Sequence, residues 1–392
     1  MSVTTLNNNQ AATFINAAVA QIIGGDLATL DLQGIVDRGN DASIIGSVEQ
    51  FTKALLNRMI ETRFSDTSYA ALYEDPFFVD SQEWGAITQW VSVDIPEAKA
   101  ASNWVSITSG TTTLGTYTIF TPIVHTKLFG KTDSWEIPIA ITGTQWNTAW
   151  TSADELRGFV AYVLMMVDNG IAYHMESMDY ANRNNFIAEK IAAAADVSIA
   201  GIHKVNLVEV YVKEHELESS GCTVEEYLTT QKALLNGMKT ITKYSRLMKK
   251  ITTLFNVDGY KRFTPGDRQV LQLVDDFDLA MNYDARTTTF HENLAKLPGY
   301  STVPFWQTPA DTTAIKVTVE DDSTGTTVNQ PYVAGLLCDK WAILHTIVQR
   351  RVAAKLFEPE DITQFYNQFT DRYMNNLSMN AIVFTLEDVN PS

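Results

Sequence analysis

Six histidines, two cysteines and several carboxylate clusters are the side chains of this 392-residue chain with the chemistry to hold a metal or move a proton. His125, His174, His203, His215, His291 and His345 contain no His-x-x-x-His or His-Glu-x-x-His pair, the spacing that aims two imidazoles at one zinc ion. Cys222 and Cys338 are far apart in sequence and read as incidental thiols of a reducing compartment. Asp275, Asp276 and Asp278 follow an apolar run. Their oxygens would suit a hard cation, but a strand end followed by an N-capping aspartate is the plainer reading. Glu320-Asp321-Asp322 reads the same way. Gly130-Lys131-Thr132 has the tail of a phosphate-binding loop, yet His125 stands where its first glycine belongs. No Gly-x-Ser-x-Gly elbow is present. Lys239, Lys243, Arg246 and Lys250 line one helical face. A solvated basic face is the plainer reading, and contact with a polyanion or a protein partner is the other. No catalytic residue, metal or cofactor is expected.

The elements that would have to position such residues belong to an ordinary folded protein. Apolar residues make up 45% of the chain and eight are Trp, which excludes disorder. The length suits two domains or one elongated subunit. Net charge is −17 and uneven: residues 1–100 carry 5 basic and 13 acidic side chains, whereas 201–300 carry 13 of each. So acidic a surface repels phosphate backbones, and the chain does not read as an ordinary nucleic-acid-binding module. The first residues have no basic or apolar leader pattern, so no export signal is expected. Phe159 to Val167, the longest apolar run, falls far short of the ~18 residues that a membrane span needs.

Along the chain, Thr13 to Ile23 is helix-prone up to Gly24-Gly25, and Ser47 to Arg63 is a second amphipathic pattern. Ile87, Val91, Val93 and Ile95 form a β-type stretch closed by Pro96, with Tyr117 to Phe129 as its partner strand. A two-stranded ribbon is marginal alone in water, so its aromatics must lie on something, a neighbour or their own core. Ser152-Ala-Asp-Glu155 is a capping box opening a helix to about Ile191, with Leu156, Val160, Val163, Val167, Ile171, Met175 and Met178 as its apolar stripe. Forty such residues span ~60 Å. Gly170, after Asp168-Asn169, is where a bend or break is expected.

Val205 to Lys213 reads as a short β stretch. Thr223-Val-Glu-Glu226 is a second capping box, opening a helix whose stripe runs Leu234, Met238, Ile241, Met248, Ile251 and Phe255. Pro265-Gly266 makes a turn, Gln269 to Val274 a strand, and a helical stretch starts near Asp276. Ala314 to Glu320 alternates as one limb of a hairpin with a solvated side. Val333 to His345 reads as strand, tight turn, strand, and Phe365–Tyr373 and Asn380–Phe384 close the chain as β segments.

Taken in order, this set resembles the major capsid proteins of tailed double-stranded DNA bacteriophages, which share the Hong Kong 97 (HK-97) fold, and most closely those of the short-tailed phi-29 type. The resemblance is carried by Val124-His-Thr-Lys-Leu-Phe-Gly130, Trp150 before the capping box, Thr264-Pro-Gly-Asp-Arg-Gln269, the acidic-basic turn before Trp341, and the closing strands. It covers about residues 85 to 387. What it implies is an α+β subunit with an N-terminal arm (1–85), an E-loop with flanking strands (86–150), a peripheral domain with the spine helix (151–222), an axial domain (223–360) and closing strands of the peripheral domain (361–392). Trp90, Trp104, Tyr117 and Phe120 would be E-loop contacts to a neighbouring subunit, and Gly170 the bend of the spine.

The partners implied are further copies in hexamers and pentamers, a separate scaffold protein and a portal. The shell would enclose double-stranded DNA without reading its sequence, assembled in the host cytoplasm and residing in the virion. An acidic inner wall that does not grip the duplex is compatible with that, and Lys239, Lys243, Arg246 and Lys250 are a possible interior basic face. No N-terminal maturation cleavage is expected, nor the extra C-terminal immunoglobulin-like domain that phi-29-type proteins can carry. Two rivals stand beside this reading: an encapsulin-like nanocompartment shell with the same fold, and an acidic cytoplasmic enzyme with a β-rich arm.

Overall fold

The structure is a computed structural model, and it describes residues 76–77, 87–95, 123–130, 132–142, 145, 153–286, 297, 299–319, 326–357 and 362–390. In chain order its elements are β1 (Thr88–Val93), β2 (Val124–Phe129), β3 (Asp133–Thr142), α1 (Ala153–Ala195), β4 (Lys204–Asn206), α2 (Leu207–Glu214), α3 (Val224–Thr229) and α4 (Gln231–Met248). There follow β5 (Gln269–Val274), α5 (Asp275–Ala280) with a π-helical turn at Met281–Arg286, β6 (Ser301–Val303), β7 (Ile315–Val319), β8 (Thr326–Gln330), β9 (Val333–Asp339), β10 (Ile343–Phe357), β11 (Ile362–Asn375) and β12 (Ala381–Thr385). Helix and sheet are thus mixed along the chain, which folds as two compact units.

The first unit contains the described residues of Thr132–Asp179 and His345–Tyr373, with Phe77. Its sheet has the order β10-β11-β3, and β11 runs antiparallel to β3 with Phe365 opposite Ile139 and Phe369 opposite Trp135. Period-two alternation puts Thr363, Phe365, Asn367 and Phe369 on the buried face of β11. Onto that face α1 lays Val167 and Ile171, closing a core with Ile139, Ile141, Val352, Phe365 and Phe369. Helix α1 runs unbroken through Asp168–Gly170, so the break expected there does not occur. Packing of an amphipathic face outweighs three weak helix formers. Gly170 has a second use: a Cβ there would lie 3.1 Å from Ile137 Cδ1, so its absence lets the helix close onto β3. Polar groups are matched within the same core. Asp371 accepts from Trp135 Nε1 at 2.7 Å, and Trp135 stacks on Phe369.

The second unit contains the described residues of Gly85–Lys131, Tyr180–Leu344 and Met374–Ser392. A five-stranded mixed sheet, order β4-β12-β9-β5-β6, forms its middle. Every residue of β9 and β12 is buried, which is why their sequences read as continuous apolar runs. Gly335 in β9 must be glycine, because a Cβ there would stand 2.6 Å from Leu273 Cδ2 and 2.7 Å from Gln272 O. The Tyr180–Ala195 part of α1 is buried nearly all round, through Phe186, Ile187, Ala188 and Ile191. Its polar side chains find partners inside: Asn184 donates to Trp306 O at 2.6 Å and Lys190 to Phe255 O at 3.1 Å. Cys222 and Cys338 are both buried. The β7–β8 hairpin has the expected solvated side, with Ile315 buried and Lys316 and Thr318 exposed.

Two expectations need correction. Val205 to Lys213 is a strand only to Asn206 and then becomes helix α2. The Asn206 side chain caps it by accepting from Val208 N, and Leu207, Val208, Tyr211 and Val212 bury a helical stripe. The capping box at Thr223 is present, with Glu226 reaching back to the Thr223 amide, but its helix ends at Thr229. Thr230 is extended (φ −95°, ψ 110°), so α4 starts anew at Gln231 and stops at Met248. Ile251 and Phe255 therefore lie beyond the helix, the first exposed and the second buried.

Candidate functional site

Strands β1 and β2 pair antiparallel in full register, Thr88 opposite Phe129 and Val93 opposite Val124. Because side chains alternate, the hairpin has two faces of different chemistry. The inner face is tied to its own unit. Trp90 meets Trp341 with ring centroids 5.7 Å apart, and Arg262 donates to Ser92 Oγ at 2.6 Å. The His125 ring stacks on Tyr260 at 3.9 Å, with Nε2 3.1 Å from Asp94 Oδ2. Lys127 pairs with Asp258 at 2.8 Å. Burial would raise the Asp258 carboxyl, but hydrogen bonds from Lys127 and Ser378 outweigh it and bring it below its ordinary value. The outer face is open to solvent and mostly apolar, with Gln89 and Thr126 as its polar strand positions. Ile87, Val91, Val93, Ile123, Val124 and Leu128 are each between 51% and 65% exposed.

The seat of the hairpin is built by two segments that the sequence had marked separately. Asp339, 1% exposed, accepts from Arg268 at 2.8 and 2.9 Å, from Thr264 Oγ1 at 3.0 Å and from the Trp341 amide at 3.0 Å. The Thr264–Gln269 turn and the Asp339-Lys340-Trp341 turn thus meet on one buried carboxylate, and Trp341 is held where Trp90 packs. A cavity of about 160 Å³ at this place is lined by Val93, Ile95, Arg262, Phe263, Arg268 and Asp339, among others. Of its charged groups Arg268 pairs with Asp339 and Arg262 holds Ser92, which is the pattern of an anchor.

In the Asp275–Asp278 cluster two carboxylates are engaged, and Glu320-Asp321-Asp322 lies outside the described residues. Asp276 accepts from Thr312, and Asp278 accepts from Tyr300 and Asn282. Among the described residues no group of three or more His, Cys, Asp or Glu is placed to hold a metal ion. No helix among them is long and apolar enough to cross a membrane.

Of the residues expected at an inter-subunit loop, Trp90 is half-buried on its own unit, and Trp104, Tyr117 and Phe120 lie outside the described residues. Gly170 sits in the middle of α1. Lys239, Lys243 and Arg246 are exposed on α4, with Lys250 just past its end. The exposed Val91, Val93, Val124 and Leu128 were not singled out as contacts. Their signal was the alternation itself, which marks two faces but not which one looks outward.

An apolar strand face anchored from behind is the mark of a protein that works by association. The sequence pattern of the Phi29-like phage major capsid protein matches residues 28–385, and the chain belongs to that family. It is therefore a structural protein of the virion, and an encapsulin-like shell is not favoured. No curated protein matches the chain. Among solved structures it is similar to a chain in the capsid structure of Staphylococcus phage Andhra (7% identity, 82% of this chain and 86% of that chain, TM-score 0.49). It is also similar to one in the capsid of Cyanophage P-SCSP1u (12%, 81% and 88%, 0.46) and one in the mature capsid of bacteriophage PhiM1 (10%, 82% and 87%, 0.41).

Proposed function

We propose that this chain self-assembles into the hexamers and pentamers of an icosahedral head around double-stranded DNA, on an HK-97-type plan. In this reading α1 is the spine helix, with Gly170 as its bend when the head changes shape. The β1–β2 hairpin is the root of an E-loop that continues through Trp104, Tyr117 and Phe120 to a neighbouring copy. The arm (1–85), the peripheral parts (151–222 and 361–392) and the axial part (223–360) complete the subunit. Assembly takes place in the host cytoplasm with a separate scaffold and portal, and no chemistry is catalysed.

The observation that supports this reading best is the open apolar face of the hairpin. Six large side chains on one small ribbon are poorly tolerated in water unless a partner covers them. Val91→Asp with Leu128→Asp changes only exposed positions, one on each strand. Circular dichroism and the thermal midpoint of the isolated subunit are expected to stay as in the wild type, while negative-stain images show no closed shells. Closed shells from the double variant would overturn the proposed role of this face.

A further inference from the structure

Helix α4 buries Ala233, Leu234, Met238, Ile241, Ser245 and Met248 on one side. Its opposite side carries Lys232, Lys239, Lys243 and Arg246, and Lys250 follows just past the last turn. Spacings of 7, 4 and 3 residues keep Lys232, Lys239, Lys243 and Arg246 within about 60° around the helix axis and spread them over about 21 Å, with Lys250 beyond the helix end. The helix contains no acidic residue, and residues 231–262 hold eight basic side chains against one acidic, Asp258, which Lys127 already neutralises. Lys239 pairs with Glu214 at 2.7 Å. The same carboxylate also interacts electrostatically with Lys243. Lys232, Arg246 and Lys250 have no ion-pair partner among the described residues.

Such a row works against the helix that carries it. Lys239–Lys243 at i,i+4 and Lys243–Arg246 at i,i+3 are like-charge pairs at destabilising spacing. In a chain of net charge −17 the row is also a sharp local reversal of sign. Partners of two kinds would offset the repulsion. An acidic protein segment would be held best where apolar side chains interleave with the charges. Within α4 the only exposed apolar side chain is Leu247, which lies to one side of the row, and the exposed Ile251 and Leu254 follow past Lys250. Duplex DNA needs no apolar groove and presents one negative charge per about 1.7 Å of axis, so a straight cationic track matches it.

We propose that the α4 row is where the subunit meets the phosphate backbone of duplex DNA, which makes the side bearing α4 the inner side of the head. The inference rests on the head-subunit reading above. Contact is independent of base sequence: Lys243, Arg246 and Lys250 displace counterions, and the acidity of the rest of the chain keeps the grip weak. A duplex held this way can slide along the wall.

The test is fluorescence anisotropy of a short labelled duplex titrated with the purified full chain at several KCl concentrations. The expected result is weak binding whose log K falls linearly with log [KCl]. In the variant Lys243→Gln, Arg246→Gln, Lys250→Gln the slope should be shallower by about 2 to 3, at roughly 0.9 per lost phosphate contact. Leu247→Ser should bind as the wild type does. An unchanged slope in the triple variant overturns the assignment, as does an absence of binding at low salt. So does capture of an acidic peptide by a wild-type chain that ignores the duplex. Negative-stain images of both proteins separate the two readings: normal shells with a lost slope uphold both, and no wild-type shells beside an intact binding difference removes only the head reading.

Discussion

Lys190 has no exposed surface, and its ammonium is held by one carbonyl, Phe255 O, beside the Phe186 ring. Burial, only partly countered by nearby acidic groups, pushes its pKa down from 10.5 to about 7. The unfolded chain keeps this proton up to about 10.5, so between 7 and 10.5 the folded state binds fewer protons. Stability therefore rises with pH across that window, by at most about 1.4 kcal/mol per pH unit. Below 7 both states are protonated and the full cost of the buried charge is carried. Lys190→Met keeps the shape and removes the charge, as in buried ion sites that tolerate apolar replacement. The variant should unfold at higher urea than the wild type at pH 7, with the gap shrinking towards pH 10. Parallel midpoints at all pH values would show that Lys190 does not titrate this way.

The neighbours of Lys190 follow the same rule. Glu189 is pushed up to about 6 by burial, and His203, 1% exposed, is pushed down to about 4 by burial and then by the Lys190 charge. None of this was legible from composition, because a lysine in a helix reads as surface until the packing around it is known.

At the scale of elements, α1 carries the sharpest prediction. Replacing a mid-helix Gly by Ala gains about 1 kcal/mol of helix propensity. At Gly170 the new Cβ meets Ile137 Cδ1 at 3.1 Å and Cγ2 at 3.3 Å, and overpacking of that kind costs about 1–3 kcal/mol. Gly170→Ala alone should thus be neutral or destabilising. In an Ile137→Val background, which lacks Cδ1, it should stabilise. A double-mutant cycle of urea midpoints is expected to give a coupling of at least about 0.5 kcal/mol, and additivity would disprove the contact. If Gly170 is also the bend of the spine, the double variant favours a straighter helix and shifts the threshold for expansion.

Elements were legible where one period ruled a long stretch. The Val167, Ile171 and Met175 part of the α1 stripe, the buried β9 and β12 runs and the alternation of β7 all follow from spacing alone. The segment from Leu207 to Glu214 misled because Val208, Val210 and Val212 are β-branched and alternate, whereas the deciding signal was one capping side chain, Asn206. The interruption between α3 and α4 turns on the backbone of Thr230, a residue that favours neither state strongly. At the hairpin, aromatic residues drew attention as candidate contacts. Trp90 faces Trp341, and the smaller aliphatic residues remain open.

For the whole molecule the ruling quantity is charge. Copies bearing −17 each repel one another before any apolar face can meet. Exposed charges interact over about 10 Å at 0.1 M ionic strength and about 3 Å at 1 M. The subunit concentration at which shells appear should therefore fall as salt is raised, measured by light scattering of purified protein. Duplex contact through α4 moves the other way and weakens with salt. Opposite responses would separate wall-to-wall from wall-to-DNA contacts in one preparation, and a salt-independent threshold would show that repulsion between copies is not limiting.

The two thiols carry a consequence of a different kind. Cys338 has no exposed surface and burial drives its pKa far up, while Cys222 is nearly buried and shifted the same way. The thiolate is the form that oxidises and exchanges. A particle built from such subunits can pass from a reducing medium to air-saturated water with its Cys338 thiols unchanged. The Cys338 sulfur becomes reactive only when the fold opens. A maleimide dye added to the intact protein is then a clock for opening, and its rate of uptake reads how often the strand holding Cys338 comes apart.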